Sequence, residues 1–100
     1  MSARIKTALA DSLRRYPAMT SAWGFGSFFR GEGYHDIDVL VVVAVPEARF
    51  LDTARELRAA LLEVEHAIGV SIDPLILTEA EFDSSPLRDM RQLIPIVLAN

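Results

Sequence analysis

The sequence predicts an α+β fold in which helices pack on a small mixed sheet of three strands. Two observations support this fold class. Apolar residues recur at helical spacing in the longer segments, whereas three shorter segments consist mainly of β-branched and aliphatic residues. The short glycine-rich connection between the first two strands predicts an antiparallel pair, and the helix between the second and third predicts a parallel, right-handed crossover. The predicted order is α-β-turn-β-α-β-α.

The first half of the chain is predicted to contain one helix and two strands. Apolar side chains recur at helical spacing over residues 3–16, and Pro17 ends that helix. The first strand is predicted at about 21–25 and the second at about 36–43. The second strand is an almost uninterrupted apolar run, which predicts a central strand that is covered on both faces.

A long helix and the third strand follow. Pro46 is predicted to start the longest helix, because proline suits a first helical turn, and Gly69 is a natural C-terminal cap. The third strand is predicted over 70–77. It contains Pro74, which has no backbone N–H, so this strand is expected at an edge of the sheet or with a bulge.

The last quarter of the chain is predicted to be helical. Thr78 caps a short turn over 79–82, and Ser85 caps a last helix that reaches about residue 93. The apolar residues 96–98 are predicted to form a tail, which leaves the sheet with three strands.

Composition excludes several classes of protein. The length of 100 residues predicts one domain over 1–100, and the absence of cysteine excludes disulfides, thiolate metal ligands and cysteine nucleophiles. The formal net charge is −4 and the basic residues are scattered, which disfavours a nucleic-acid substrate because such substrates require clustered positive charge. No uncharged apolar run is long enough for a transmembrane helix, so no membrane partner is predicted and a cytoplasmic location is expected.

The most informative segment is the connection between the first two strands. It begins with Gly26-Ser27 and ends with Asp36-Ile37-Asp38 at the head of the second strand. Residues two apart in a strand point to the same face, so the two carboxylates project side by side and repel each other unless a cation lies between them. A glycine-serine turn offers backbone N–H groups to phosphate. The segment therefore predicts a site for a nucleotide with Mg²⁺.

A third carboxylate lies near the start of the third strand. If the second and third strands are adjacent and parallel, Asp73 falls at the same end of the sheet as Asp36 and Asp38. An aspartate before a proline also commonly ends a strand, so a structural role for Asp73 stays open beside the catalytic one.

These residues resemble the nucleotidyltransferase superfamily related to DNA polymerase beta. The motif of that superfamily is a Gly-Ser turn, a spacer, Asp-x-Asp at the head of a strand, and a third carboxylate on a later strand. Small members also carry Arg-Gly soon after the turn. The resemblance covers nearly the whole chain and identifies it as a minimal, MNT-type member. The matching residues are Gly26, Ser27, Arg30, Gly31, Asp36, Asp38 and Asp73.

The resemblance implies a Mg²⁺-dependent transfer of a nucleoside monophosphate, expected to be AMP from ATP, to a hydroxyl group. Asp36 and Asp38 would hold two metal ions, and Asp73 would bind the second ion or accept the proton of the hydroxyl. The glycine-serine turn would stabilise the leaving pyrophosphate. Arg30 either neutralises phosphate charge or caps the turn with its side chain in water.

The resemblance also implies a protein partner, because small members are commonly antitoxins of an all-helical HEPN-type toxin and some of them adenylylate a tyrosine of that toxin. One alternative is a non-catalytic binding module that neutralises such a partner by contact. It is favoured by Phe29, where these proteins usually have a small residue, and by a short spacer. Another alternative is a homodimeric enzyme that modifies a small molecule, against which the missing acceptor domain argues.

Overall fold

The computed structural model describes residues 2–25, 36–84 and 93–98. No helix in this part of the chain is both long enough and apolar enough to span a bilayer. The helices and strands, in chain order, are α1 (Ser2–Leu13), β1 (Met19–Phe25), β2 (Asp36–Val43), α2 (Phe50–Ile68), β3 (Ser71–Thr78), α3 (Glu79–Asp83) and β4 (Ile94–Leu98).

The strands form one mixed sheet in the order β3-β2-β1-β4. Strand β1 is antiparallel to both β2 and β4, whereas β2 and β3 are parallel and are connected through α2. The predicted α+β class, the antiparallel first pair and the parallel crossover are therefore confirmed. The expectation that Pro74 marks an edge strand is also correct, since β3 lies at one edge.

The sheet has one strand more than the sequence predicted. The segment expected to be an apolar tail belongs to β4, which pairs with β1 so that Val97 lies opposite Ala22 and Ile94 opposite Gly24. The physical reason is that β1 would otherwise present a row of unpaired backbone groups beside apolar side chains, and Val97 is buried by the pairing. The helix predicted over 85–93 lies almost entirely outside the described residues.

The ends of α2 follow from local sequence. Pro46 precedes a 3-10 turn at Glu47–Arg49, so the α-helix proper begins later than predicted, at Phe50. Gly69 ends the helix as predicted. Its φ of 75° lies in the left-handed region that favours glycine, and its N–H donates to the carbonyl oxygen of Glu65 at 2.9 Å.

Helix α3 is a single turn that is held by a reciprocal cap. The Thr78 hydroxyl oxygen accepts from the N–H of Glu81 at 3.1 Å, and the Glu81 carboxylate accepts from the N–H of Thr78 at 2.9 Å. Both bonds satisfy backbone donors that the helix itself leaves unpaired, which explains how so short a helix forms directly after β3.

The two faces of the sheet carry layers of unequal size. The face that we call the helix face packs on α1 and α2 and holds the larger core. The opposite face, the α3 face, holds a smaller cluster that contacts α3. The helix face includes Ile37, Val39, Val41, Val43, Leu9, Leu13, Leu57 and Leu61. The cluster on the α3 face includes Leu40, Val42, Leu77, Trp23, Phe25, Leu75, Phe82 and Leu93.

The outer edge of β3 has few free donors at the positions that the structure describes. The N–H of Ile72 donates to the Glu65 carboxylate at 2.7 Å, and that of Thr78 donates to the Glu81 carboxylate at 2.9 Å. Alternate residues of a strand direct their backbone groups to the same side, so Pro74 lies on this edge too and has no N–H to offer. The outward N–H groups near both ends of β3 are therefore hydrogen-bonded to side-chain carboxylates.

Candidate functional site

The three aspartates meet at the end of the sheet where β2 and β3 begin. Asp38 is the central member, because its partners across the two ladders are Phe25 on β1 and Asp73 on β3. Asp36 lies opposite Ser71, two residues from Asp38. Side chains directly opposite in a ladder share a face, so all three carboxylates project from the α3 face.

The electrostatics of this cluster centre on Asp38. Burial raises the pKa of its carboxyl above the ordinary value of 3.8, and the negative charges of Asp73 and then Asp36 raise it further. Asp38 is half-buried, whereas Asp36 and Asp73 are exposed. The cluster therefore favours a proton or a cation at its centre.

The chemistry of the donors fits a divalent cation. Mg²⁺ prefers carboxylate oxygens, and neighbouring strands bring opposite residues to within about 4.8 Å of backbone separation. Within residues 2–25, 36–84 and 93–98, however, no three His, Cys, Asp or Glu side chains form a ready set of metal ligands. Asp36 and Asp73 are exposed, so their carboxylates can turn towards Asp38 without displacing packed groups.

The predicted phosphate-binding residues Gly26, Ser27 and Arg30 lie outside the described residues. The chain enters their segment from Phe25, the last residue of β1, which pairs with Asp38. Phe25 therefore lies at the acidic end of the sheet. The roles of these three residues stay predictions.

Two interactions of half-buried side chains were not predicted from the sequence. Trp23 stacks on Phe82, with ring centroids 5.9 Å apart, and its Nε1–H donates to the hydroxyl of Ser21 at 2.9 Å. Glu65, whose helical position predicts a surface side chain, instead bonds the N–H of Ile72. The only signal for this second contact is the short connection from the helix through Gly69 to an edge strand, which brings the last helical turn close to that strand.

Two cavities that are lined by described residues lie at the other end of the sheet. One of about 640 Å³ is lined by side chains that include Val45, Phe50 and Thr78. Another of about 420 Å³ is lined by residues that include Val42 and Phe82. Val42 and Thr78 belong to the carboxyl-terminal ends of β2 and β3, so these cavities do not contain the aspartates.

The solved structures that share the fold include these two. A Sulfolobus solfataricus protein described as a nucleotidyltransferase is 21% identical with a TM-score of 0.56, and the match covers 90% of this chain and 73% of that one. A chain of a toxin-antitoxin structure solved with AMP-PNP is 16% identical with a TM-score of 0.58, and the match covers 95% and 74%. At these identities the likeness shows the fold.

The sequence was also compared with curated proteins and with family models. No curated protein matches the chain. The family model described as a nucleotidyltransferase domain matches residues 5–96, which include β1, β2, β3, the start of β4 and the three aspartates. The chain therefore belongs to the nucleotidyltransferase domain family.

Proposed function

We propose that this chain transfers AMP from ATP to a hydroxyl group on a partner protein. The observation that carries the proposal is the parallel register of β2 and β3, in which Asp73 lies directly opposite Asp38 while Asp36 shares their face. Three carboxylates at one end of a sheet, in a chain of this family, are a donor set suited to Mg²⁺ and a nucleotide.

Each aspartate has a proposed role. Asp36 and Asp38 would hold two Mg²⁺ ions, and Asp73 would hold the second ion or accept the proton of the attacking hydroxyl. Mg²⁺ held by these residues would neutralise triphosphate charge and lower the pKa of that hydroxyl. The hydroxyl oxygen forms a bond to the α-phosphorus, the bond from that phosphorus to the bridging oxygen breaks, and pyrophosphate leaves. Burial, and after it the charges of Asp73 and Asp36, raise the pKa of Asp38, and a bound cation would relieve the part that is due to repulsion, which supports this assignment.

The phosphates would be bound by the segment that follows β1. We assign the backbone N–H groups and hydroxyl of Gly26-Ser27 to the β- and γ-phosphates, and Arg30 to neutralisation of their charge. Support comes from the chain connection, because Phe25, the residue before Gly26, pairs with Asp38.

The acceptor hydroxyl is assigned to a protein partner. The fold likeness to a chain from a toxin-antitoxin structure solved with AMP-PNP supports both a partner and a nucleotide. From the family resemblance, we propose that the partner is a small helical HEPN-type protein and that the pair acts in the cytoplasm. An adjacent reading frame for a small helical protein would support this assignment.

A second candidate function is a binding module that neutralises its partner by contact alone. The observation in its favour is that the described acids do not form a ready set of metal ligands. The two functions differ in whether AMP appears on the partner.

The test incubates the chain and the partner encoded beside it with labelled ATP and Mg²⁺, and measures AMP on the partner by mass spectrometry. The parent should transfer AMP. The variant Asp73→Asn should still bind ATP but should transfer AMP about 10²-fold more slowly, because the third carboxylate acts mainly on the attacking hydroxyl. The matched control is Asp52→Asn, which neutralises an exposed acid in the first turn of α2. Neutralisation of the partner without transfer would reject the enzyme in favour of the binding module.

A further inference from the structure

Glu65 is a half-buried residue in the last turn of α2, and its carboxylate forms a hydrogen bond with the backbone of β3. Its Oε1 accepts from the backbone N–H of Ile72 at 2.7 Å, and its carbonyl oxygen accepts from the N–H of Gly69 at 2.9 Å. A hydrogen bond to an ionised carboxylate is about twice as strong as one between neutral groups. One residue therefore fixes both ends of the connection that leads from α2 into β3.

The start of β3 needs such a restraint. Asp73 lies directly opposite Asp38, and like charges directly opposite in a ladder weaken the pairing there. Strand β3 is an edge strand, so it has a neighbour on one side only, and Pro74 follows Asp73 without an N–H. The bond from Ile72 to Glu65 acts on the residue next to Asp73 and from the side that lacks a strand.

We infer that Glu65 is a positioning residue, which holds the backbone at the start of β3 so that Asp73 stays beside Asp38. The inference rests on the proposed function, because it gives Asp73 a role in metal binding and transfer. Glu65 acts through the backbone of Ile72 and is not itself assigned to the metal or the nucleotide.

Three substitutions separate the bond from the charge. Glu65→Gln keeps an acceptor at the same reach and removes the charge, Glu65→Asp keeps the charge and shortens the reach, and Glu65→Ala removes both. Glu63→Ala, an exposed glutamate of the same helix, controls for the loss of a helical acid. Far-UV circular dichroism identifies the variants that fold, and the Gln and Asp variants keep the test decisive if the Ala variant does not fold.

The first measurements need no catalysis. Amide hydrogen exchange at Ile72 should be about tenfold faster or more in the Ala and Asp variants, and should lie between that of the Ala variant and that of the parent in the Gln variant, which keeps a weaker, neutral acceptor. Titration with Mn²⁺ alone should show affinity about tenfold weaker in the Ala and Asp variants, and unchanged in Glu63→Ala.

A double variant tests whether Glu65 acts through Asp73. Glu65→Ala combined with Asp73→Asn should bind Mn²⁺ and transfer AMP no worse than Asp73→Asn alone, since both changes remove the same contribution. Additive effects would overturn the inference, as would faster exchange at Ile72 with Mn²⁺ affinity unchanged. Non-additive Mn²⁺ binding without any AMP transfer would support the positioning role and reject the proposed reaction. A parent that binds no Mn²⁺ would overturn both.

Discussion

The two faces of β2 differ although the same eight residues form both of them. On the helix face, Ile37, Val39, Val41 and Val43 are all fully buried against α1 and α2. On the α3 face, the strand begins with Asp36 and Asp38 and becomes apolar only at Leu40 and Val42. Because side chains alternate between the two faces of a strand, the residues that pack in the core and the acids of the proposed site lie on opposite faces of β2. The acids occupy the start of β2, where the strand itself presents no apolar side chain to the α3 face.

This division has an energetic consequence. The helix face buries large aliphatic side chains completely, so it supplies most of the hydrophobic stabilisation. The α3 face contains repelling acids and half-buried aromatic side chains, so it contributes less and carries the proposed site. Substitutions on the two faces should therefore affect different properties of the protein.

The largest expected effect is on the helix face. Leu57→Ala removes a fully buried side chain of α2 and should lower the free energy of unfolding by about 2–5 kcal/mol, measured by urea denaturation. Leu75→Ala makes the same chemical change at a half-buried position of the α3 face and should cost clearly less. Equal costs at the two positions would remove the distinction between the faces.

The next effect concerns metal binding. Saturating Mg²⁺ and ATP should stabilise the parent, by about 2.7 kcal/mol at a hundred times the dissociation constant, and raise its melting temperature. The double variant Asp36→Asn, Asp38→Asn should stay folded and lose this shift, because the neutral amides do not attract the cation. A double change of the exposed acids Asp52 and Asp83 to asparagine should keep it. An undiminished shift in the first double variant would place the metal elsewhere.

A smaller effect is expected at the aromatic pair of the α3 face. Phe82→Leu keeps an apolar side chain but removes the stack on Trp23, and should cost about 0.5–1.5 kcal/mol beyond the lost buried area. Trp23 is the only tryptophan in the sequence, so its fluorescence reports this face directly. The emission should shift to longer wavelength in Phe82→Leu and stay constant in Leu62→Ala, a change on the exposed side of α2. Unchanged emission in Phe82→Leu would contradict the stacked geometry.

The smallest effect is the pH dependence due to Asp38. Burial and the neighbouring acids raise its pKa in the folded state, so the folded protein holds this proton more tightly than the unfolded chain does. The resulting stabilisation is complete below the ordinary pKa of 3.8 and is lost as the pH rises through the folded value. Asp38→Asn lacks this loss, so without metal it should become more stable relative to the parent as the pH rises above about 4. A pH-independent difference in unfolding free energy would show that the carboxyl is not perturbed.

Much of the fold could be predicted because the informative patterns are local. The bounds of β2, the cap at Gly69 and the edge position of β3 follow from an apolar run, a glycine and a proline within single segments. From these elements the parallel crossover was predicted, and with it the position of Asp73 at the same end of the sheet as Asp36 and Asp38.

The features that were not predicted depend on tertiary geometry. Strand β4 is a short apolar segment containing Pro95, and periodicity alone does not distinguish such a run from a tail. The stack of Phe82 on Trp23 joins residues far apart in the chain, and the bond between Glu65 and Ile72 depends on how α2 lies against β3. No spacing rule connects such pairs, so only the three-dimensional structure reveals them.

The bonded edge of β3 has a consequence for how the protein behaves at high concentration. An exposed edge strand is a template on which a second molecule adds its own strand, and repeated addition leads to fibrils. Near the acids, the outward N–H of Ile72 is already bonded to Glu65 and Pro74 has no N–H, whereas the N–H of Thr78 at the other end of β3 is bonded to Glu81. Intermolecular sheet growth therefore cannot use donors at positions 72, 74 and 78 of that edge, which disfavours amyloid-like assembly there.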